Sequence, residues 1–231
     1  PKPPKKPEIT LHWGKVHTIG MEIDPLYIKD SIVAKFREEY AKVSRIVDEY
    51  NRVKNTFSDI NEHIELLYTL GMECDRICEM GVRDGASTRA FLNTNASLRS
   101  YDIELNEEVQ NLFTRAKSVG KDVTYEKENV LNIEIEQCDL LFIDTWHSGS
   151  QLKRELEIHG NKANKYLVFH DTHTYGCRDE KQNWRDFADK RPIAGEGLLK
   201  SIIDFVIENP EWKFKELRTN NNGLTVLERT K

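Results

Sequence analysis

Two short runs concentrate ionisable side chains in this chain of 231 residues: Asp144-Thr-Trp-His147 and His170-Asp171-Thr-His173. Each follows a continuously apolar stretch, Leu140-Leu-Phe-Ile143 and Tyr166-Leu-Val-Phe169, of the kind that a strand buried on both faces presents. Carboxylates and imidazoles gathered at neighbouring strand ends can hold a divalent cation or work as an acid–base pair. The histidines also admit zinc or iron. The plainer alternative is a hydrogen-bonded loop network. A single histidine would mean little, but two Asp/His sets at consecutive strand ends are harder to dismiss. His12, His17, His63 and His159 have no such partners in sequence and read as surface or core residues. Trp146, Trp184 and Tyr175 could line a substrate mouth or simply pack.

A second constellation lies earlier, in Ile77-Cys-Glu79-Met-Gly81-Val-Arg-Asp-Gly85-Ala-Ser87. An apolar run ends in Glu79, two glycines follow, and a small polar residue stands close behind. Glycine permits the positive φ and close approach that a sharp strand-to-helix turn needs, and the helix start offers free N–H groups to a ligand. The spacing is Glu-x-Gly-x-x-x-Gly rather than Gly-x-Gly-x-x-Gly, which favours a nucleoside without a pyrophosphate over a dinucleotide. At the end of the next apolar run, Asp102 or Glu104 could accept both hydroxyls of a ribose, or cap a helix. Asn129 could bond an adenine amine, or serve as turn chemistry.

Apolar periodicity supplies the elements that would hold these groups. Strands are expected at Arg76–Met80, Leu98–Asp102, Val123–Lys127, Asp139–Asp144 and Tyr166–Asp171, with helices near Ser87–Leu92, Glu107–Val119 and Ser150–His159 between them. Strand–helix alternation of this kind builds a parallel sheet covered on both faces. Glu196–Glu208 is a further amphipathic helix, after which Trp212–Leu217 and Leu224–Glu228 flank Asn220-Asn-Asn-Gly223 as an antiparallel hairpin. Upstream, residues 28–54 repeat apolar residues in steps of three and four, as a long helix does. Ser58-Asp59, with Glu62, can cap another helix that runs to Gly71. Three units are expected: an extended proline–lysine segment over 1–27, a helical extension over 28–57, and one α/β domain over 58–231. The charged stretch Arg178–Arg191 reads as a lid or specificity insert.

The bulk properties exclude several classes. A net charge of -5 gives no basic field for nucleic acid. No apolar run reaches bilayer length, and no signal peptide opens the chain. Cys74, Cys78, Cys138 and Cys177 are scattered; a disulfide framework or zinc half-site is not expected, and a reducing cytoplasm is.

Taken together, Glu79-Met-Gly81-Val-Arg-Asp-Gly85-Ala-Ser87, Asp102, the two Asp/His sets and the terminal hairpin resemble the class I S-adenosylmethionine-dependent methyltransferases. Within them the chain is similar to the metal-dependent sugar and small-molecule O-methyltransferases and the cephalosporin-hydroxylase-like proteins. The resemblance covers residues 58–229 and implies a Rossmann-like, mainly parallel seven-stranded sheet with helices on both faces and a C-terminal antiparallel hairpin. It assigns S-adenosylmethionine to Glu79, Gly81, Gly85, Ser87, Asp102, Asn129 and Asp144, with Glu104 competing for the ribose role. It implies a divalent metal, magnesium by family usage, at Asp144, His170 and Asp171, although a histidine stands at the third position where a carboxylate is usual. That departure admits a different metal, a weaker site or none. It also implies catalysis by His147, Asp144 and Asp171, with His147 taking a proton from a small hydroxylated acceptor such as a sugar. Homo-oligomers are compatible with it; a membrane or nucleic-acid partner is not expected. Two rival readings are an NAD-type oxidoreductase and a non-catalytic methyltransferase-like module of a larger protein.

Overall fold

The computed structural model describes residues 30–180 and 196–230. The expected extended segment over 1–27, the greater part of the expected lid, and His12, His17 and Trp184 lie outside the described residues.

Seven strands form one sheet: β1 (Arg76–Met80), β2 (Ser97–Asp102), β3 (Val123–Lys127), β4 (Cys138–Ile143), β5 (Ala163–His170), β6 (Trp212–Arg218) and β7 (Leu224–Arg229). Their spatial order is β3-β2-β1-β4-β5-β7-β6. The first five pair in parallel, and β7 then pairs antiparallel with both β5 and β6. The order reverses between β1 and β4, so the ends of those two strands frame the crevice where ligands bind in open α/β sheets.

The helices are α1 (Asp30–Asn55), α2 (Ile64–Met72), α3 (Ala86–Leu92), α4 (Glu107–Ser118), α5 (Gly149–His159) and α6 (Gly197–Glu208). Because side chains alternate along a strand, Ile77, Leu98, Leu140 and Phe142 pack with α1 to α4 on one face. Cys78, Met80, Leu141, Ile143 and Phe169 pack with α5 and α6 on the other. Phe91 of α3 meets Phe142 of β4 edge to face at 5.6 Å, a geometry worth about 0.5–1.5 kcal/mol beyond the area it buries. Among the described residues no helix is long and apolar enough to cross a membrane.

In α1, Ile46 and Tyr50 are buried, whereas Phe36 and Tyr40 are exposed. Glu49 of this helix accepts a hydrogen bond from the nearly buried Arg89 of α3 at 2.8 Å, and Arg89 also donates to the Asp84 and Gly85 carbonyls. α1 is thereby tied to the glycine turn.

The start of α2 differs from the expected capping box. The chain enters through a short 3-10 turn, Asn61–His63, with Ile60 at its N-cap and no side-chain cap bond. The Glu62 N–H donates instead to Asn221 Oδ1 at 2.7 Å, across 159 residues, so a tertiary contact replaces the local one. Gly71 does not stop the helix, which continues to Met72; a β-carbon at Gly71 would stand 2.9 Å from the Thr94 methyl group, so the glycine serves close packing.

Candidate active site

The turn after β1 is built by two glycines with positive φ, Gly81 at 85° and Gly85 at 71°. A β-carbon on Gly81 would lie 2.0 Å from the Asp144 carbonyl oxygen, so the ends of β1 and β4 touch through backbone alone. Gly85 is the N-cap of α3.

Glu79 is completely buried beneath this turn. Its carboxylate accepts from Ser87 Oγ and Ser100 Oγ, each at 2.6 Å, and from Thr88 Oγ1 at 2.9 Å. Burial pushes its pKa up to about 7 against the pull of those hydroxyls. Asp102 Oδ2 accepts from the Val82 and Arg83 amides at 2.8 and 2.9 Å, and Oδ1 from the Glu104 amide at 3.0 Å. That carboxylate fixes the loop from the β2 side and keeps lone pairs to spare. Asn129 turns to its own backbone: its Oδ1 accepts from the Leu131 amide at 2.9 Å and caps a short 3-10 turn.

The two Asp/His sets do converge, because β4 and β5 are adjacent and parallel. His147 Nε2 lies 2.8 Å from Asp171 Oδ2 and 3.3 Å from Asp144 Oδ1, while its Nδ1 lies 3.1 Å from Glu180 Oε2. Its ring stacks on Tyr175 at 4.8 Å with 3° between planes. His170 Nδ1 lies 3.4 Å from Asp144 and 3.2 Å from Asp171. Its Nε2 meets the carbonyls of Asp59 and Asn221 at 3.2 and 3.1 Å. Burial alone would lower both imidazole pKa values, but the carboxylates overcome it and raise each to about 10. For Asp144 and Asp171 burial acts in the opposite sense, and the two histidines overcome it to hold both below the usual carboxylate range.

Asp171 adopts φ of 61°, a left-handed conformation that costs a non-glycine residue about 1–2 kcal/mol. Its Oδ1 is buried without a hydrogen-bond partner among the described residues. Strain and an orphaned acceptor on one residue are marks of a functional position. Asp144, His147 and Asp171 can each present one donor atom with all three within 4.8 Å of one another, a set that fits a divalent cation. His170, expected among the ligands, stands behind them: both its ring nitrogens already face oxygen acceptors, so it donates to the carboxylates from the rear. His173 is exposed and His63 and His159 are buried, none joining the cluster.

Several contributors carried no local signal. Asp59 orients His170 through its carbonyl and receives Arg83 through its carboxylate at 2.8 Å. The hairpin turn reaches the site with three consecutive carbonyls: Asn220 to His63 Nε2 at 3.1 Å, Asn221 to His170, and Asn222 to the His173 and Thr174 amides at 2.8 and 2.9 Å. Glu180 lay within the stretch read as a lid and proves to be a partner of His147. Glu155 was legible in principle, as a carboxylate in the apolar stripe of α5 formed by Leu152 and Leu156.

No protein-family model and no curated protein matches the sequence. Solved structures do match. An O-methyltransferase from Bacillus cereus in complex with SAH shares 14% identity over 90% of this chain and 94% of its own, with a TM-score of 0.53. The SAH-bound Podospora anserina methyltransferase PaMTH1 shares 15% over 88% and 97%, at 0.51. The N-methyltransferase NodS from Bradyrhizobium japonicum shares 13% over 75% and 97%, at 0.51. At these identities the likeness is one of fold: the chain has the fold of the class I S-adenosylmethionine-dependent methyltransferases.

Proposed function

We propose that the chain is an S-adenosylmethionine-dependent O-methyltransferase acting on a small hydroxylated acceptor, with a sugar or polyol as the leading class. The observation that carries this reading is the backbone contact between Gly81 and Asp144, which sets the glycine turn directly beside the Asp144–His147–Asp171 cluster on a methyltransferase fold. A methyl donor at the turn and an acceptor hydroxyl at the cluster would then be neighbours, and positioning supplies much of the rate when the donor is already activated.

In this reading the Gly81–Gly85 turn and the α3 start, which includes Ser87, hold the methionine part of the cofactor. Asp102 receives the ribose, and Asn129 lies toward the adenine. Glu79 acts from below, holding Ser87, Thr88 and Ser100 together. Asp144 and Asp171 would hold a divalent cation, magnesium by analogy, which would supply a lowered pKa for an acceptor hydroxyl. His170 keeps both carboxylates aligned. Glu180 accepts from His147 Nδ1; with Asp144 and Asp171 committed to a cation, Nε2 would lose the carboxylates that keep it protonated, and the neutral ring would receive the acceptor proton there. Tyr175 fixes the plane of that ring. Four free thiols suit a reducing, cytoplasmic setting.

The test is calorimetric titration with S-adenosylmethionine, with and without magnesium, and with NAD as control. Micromolar binding of the methyl donor alone supports the reading. Binding of NAD in its place sinks it.

A further inference from the structure

β6 is the last strand of the sheet, and among the described residues no strand lies beyond it. Its outward backbone N–H and C=O groups are open to another strand. The edge is also apolar: Phe214 and Leu217 are 42% and 62% exposed. Three residues apart in a regular strand, they would lie on opposite faces. The pairing of β6 with β7 shifts register between Phe214 and Glu216, and this irregularity brings both to one face. Phe214 stands opposite Leu227, which packs with α5 and α6, and Leu217 stands opposite Thr225, two residues along on the same side. Lys215 and Glu216 share the other face. Lys215 bonds Glu228 at 2.8 Å and lies over the Tyr166 ring, while Glu216 stands opposite Val226, which packs in the same core as Tyr166. α6 lies over this end of the sheet, with Phe205 meeting the Trp212 ring at 6.3 Å. Ser201 turns one flank of α6 to α5, donating to the Gly149 carbonyl at 2.7 Å. Ile203, 44% exposed, therefore stands on the flank away from α5.

We propose that β6 pairs antiparallel with β6 of a second copy of this chain, about a two-fold axis between Lys215 and Glu216. In that register Phe214 opposes Leu217 of the second copy, and Leu217 opposes its Phe214. Lys215 and Glu216 each oppose the residue of opposite charge. Directly opposed residues of an antiparallel pair share a face, as these do. The neighbouring registers fail. One centred on Lys215 sets that lysine against itself and Phe214 against Glu216; one centred on Glu216 sets the glutamate against itself and Leu217 against Lys215. At each end of the chosen register Lys213 faces Arg218 of the second copy, and that arginine is already paired with Glu216 of its own chain at 2.6 Å. An axis normal to the sheet keeps both copies of α6 on one side, with their Ile203 flanks toward each other. The contact is isologous, one patch meeting its own copy, and it closes at two. A strand edge can receive any extended peptide; the match of this edge to itself singles out a second copy. None of the residues assigned to the cofactor or the cation belongs to β6, so the dimer stands or falls apart from the methyltransferase reading.

Sedimentation equilibrium of the full chain, from about 1 to about 100 µM, should show a monomer–dimer equilibrium, the range expected of a small edge contact. Lys215→Glu places two acids opposite each other on both sides of the axis, and Glu216→Lys places two bases there. Each variant alone should weaken the dimer about tenfold or more. Mixed together, the two variants bring opposite charges into register at both positions and should form a heterodimer as tight as the wild-type dimer. The pairs lost within one chain, Lys215–Glu228 and Glu216–Arg218, are partly exposed and contribute little stability, so each variant should keep the wild-type circular dichroism spectrum. Hydrogen exchange of the wild type should show amides of residues 212–218 gaining protection as concentration rises. A chain that stays monomeric at every concentration overturns the proposal. So does a dimer that both substitutions leave intact, or one that mixing the variants fails to restore.

Discussion

Gly81 and Asp144 belong to different strands, yet no side chain separates them: a β-carbon on the glycine would meet the aspartate carbonyl oxygen at 2.0 Å. The same glycine holds φ at 85°, where an L residue is strained whatever the space. Gly81→Ala must therefore push β4 away from β1. The expected loss is about 3 kcal/mol in unfolding free energy, from strain and overpacking together. Urea denaturation measures it, and SAH titration of the folded fraction should show weakened binding. An alanine variant with wild-type stability and affinity would remove the contact from the argument.

His147 and Asp171 share a 2.8 Å contact but should fail differently. His147→Ala removes the proposed proton acceptor, so turnover is expected to fall by about 10²–10⁴, while Mn²⁺ affinity, followed by electron paramagnetic resonance, is expected to change little. Asp171→Asn removes a proposed charged ligand and should weaken Mn²⁺ by about tenfold or more. If His147→Ala lost the cation as completely, the histidine would be a ligand and the proton would need another acceptor.

Glu79 gives the stability a pH dependence of defined sign. Burial raises its folded-state pKa from 4.5 to about 7. The contribution is fully present below pH 4.5 and is lost as pH rises through 7, amounting to about 3 kcal/mol across that window. Glu155, shifted the same way, acts in the same direction. Glu79→Gln should flatten this part of the curve in denaturant titrations at several pH values. An unchanged slope would mean that Glu79 stays ionised inside its three hydroxyls.

The four cysteines should divide cleanly. Cys74, Cys78 and Cys138 are buried and Cys177 is exposed, with none in a disulfide. Burial also pushes the thiols of Cys74 and Cys138 up to about 12. Ellman's reagent should modify a single thiol quickly in the native chain and all four in guanidinium. Rapid reaction of a second native thiol would indicate that the face carrying α5 and α6, or the end of α2, opens readily.

The sheet was legible because its signals are local. Leu140–Ile143 and Tyr166–Phe169 are apolar without interruption, and every expected strand falls within three residues of the observed one, since a doubly buried strand admits little else. The convergence of Asp144 with Asp171 followed from strand ends alone. What escaped was whatever depends on a distant partner. The amide of Glu62 and the ring of His170 find their oxygens in the hairpin turn, 159 and 51 residues away. No periodicity reports such a pairing. Asn129 shows the opposite limit: its Oδ1 accepts from an amide only two residues on, a turn contact that its residue type already allowed.

The hairpin turn closes the sheet, with Asn221 and Asn222 holding the positive φ values that a tight turn needs. Its carbonyls nevertheless clamp the loop after β5 and both buried rings beside the cluster. A ribosome delivers residues 220–222 after every other part of that cluster has emerged. The nascent chain can pair its five parallel strands and still lack the oxygens that orient its buried histidines. Completion of the cluster thus falls to one short asparagine run that contributes only backbone oxygens to it.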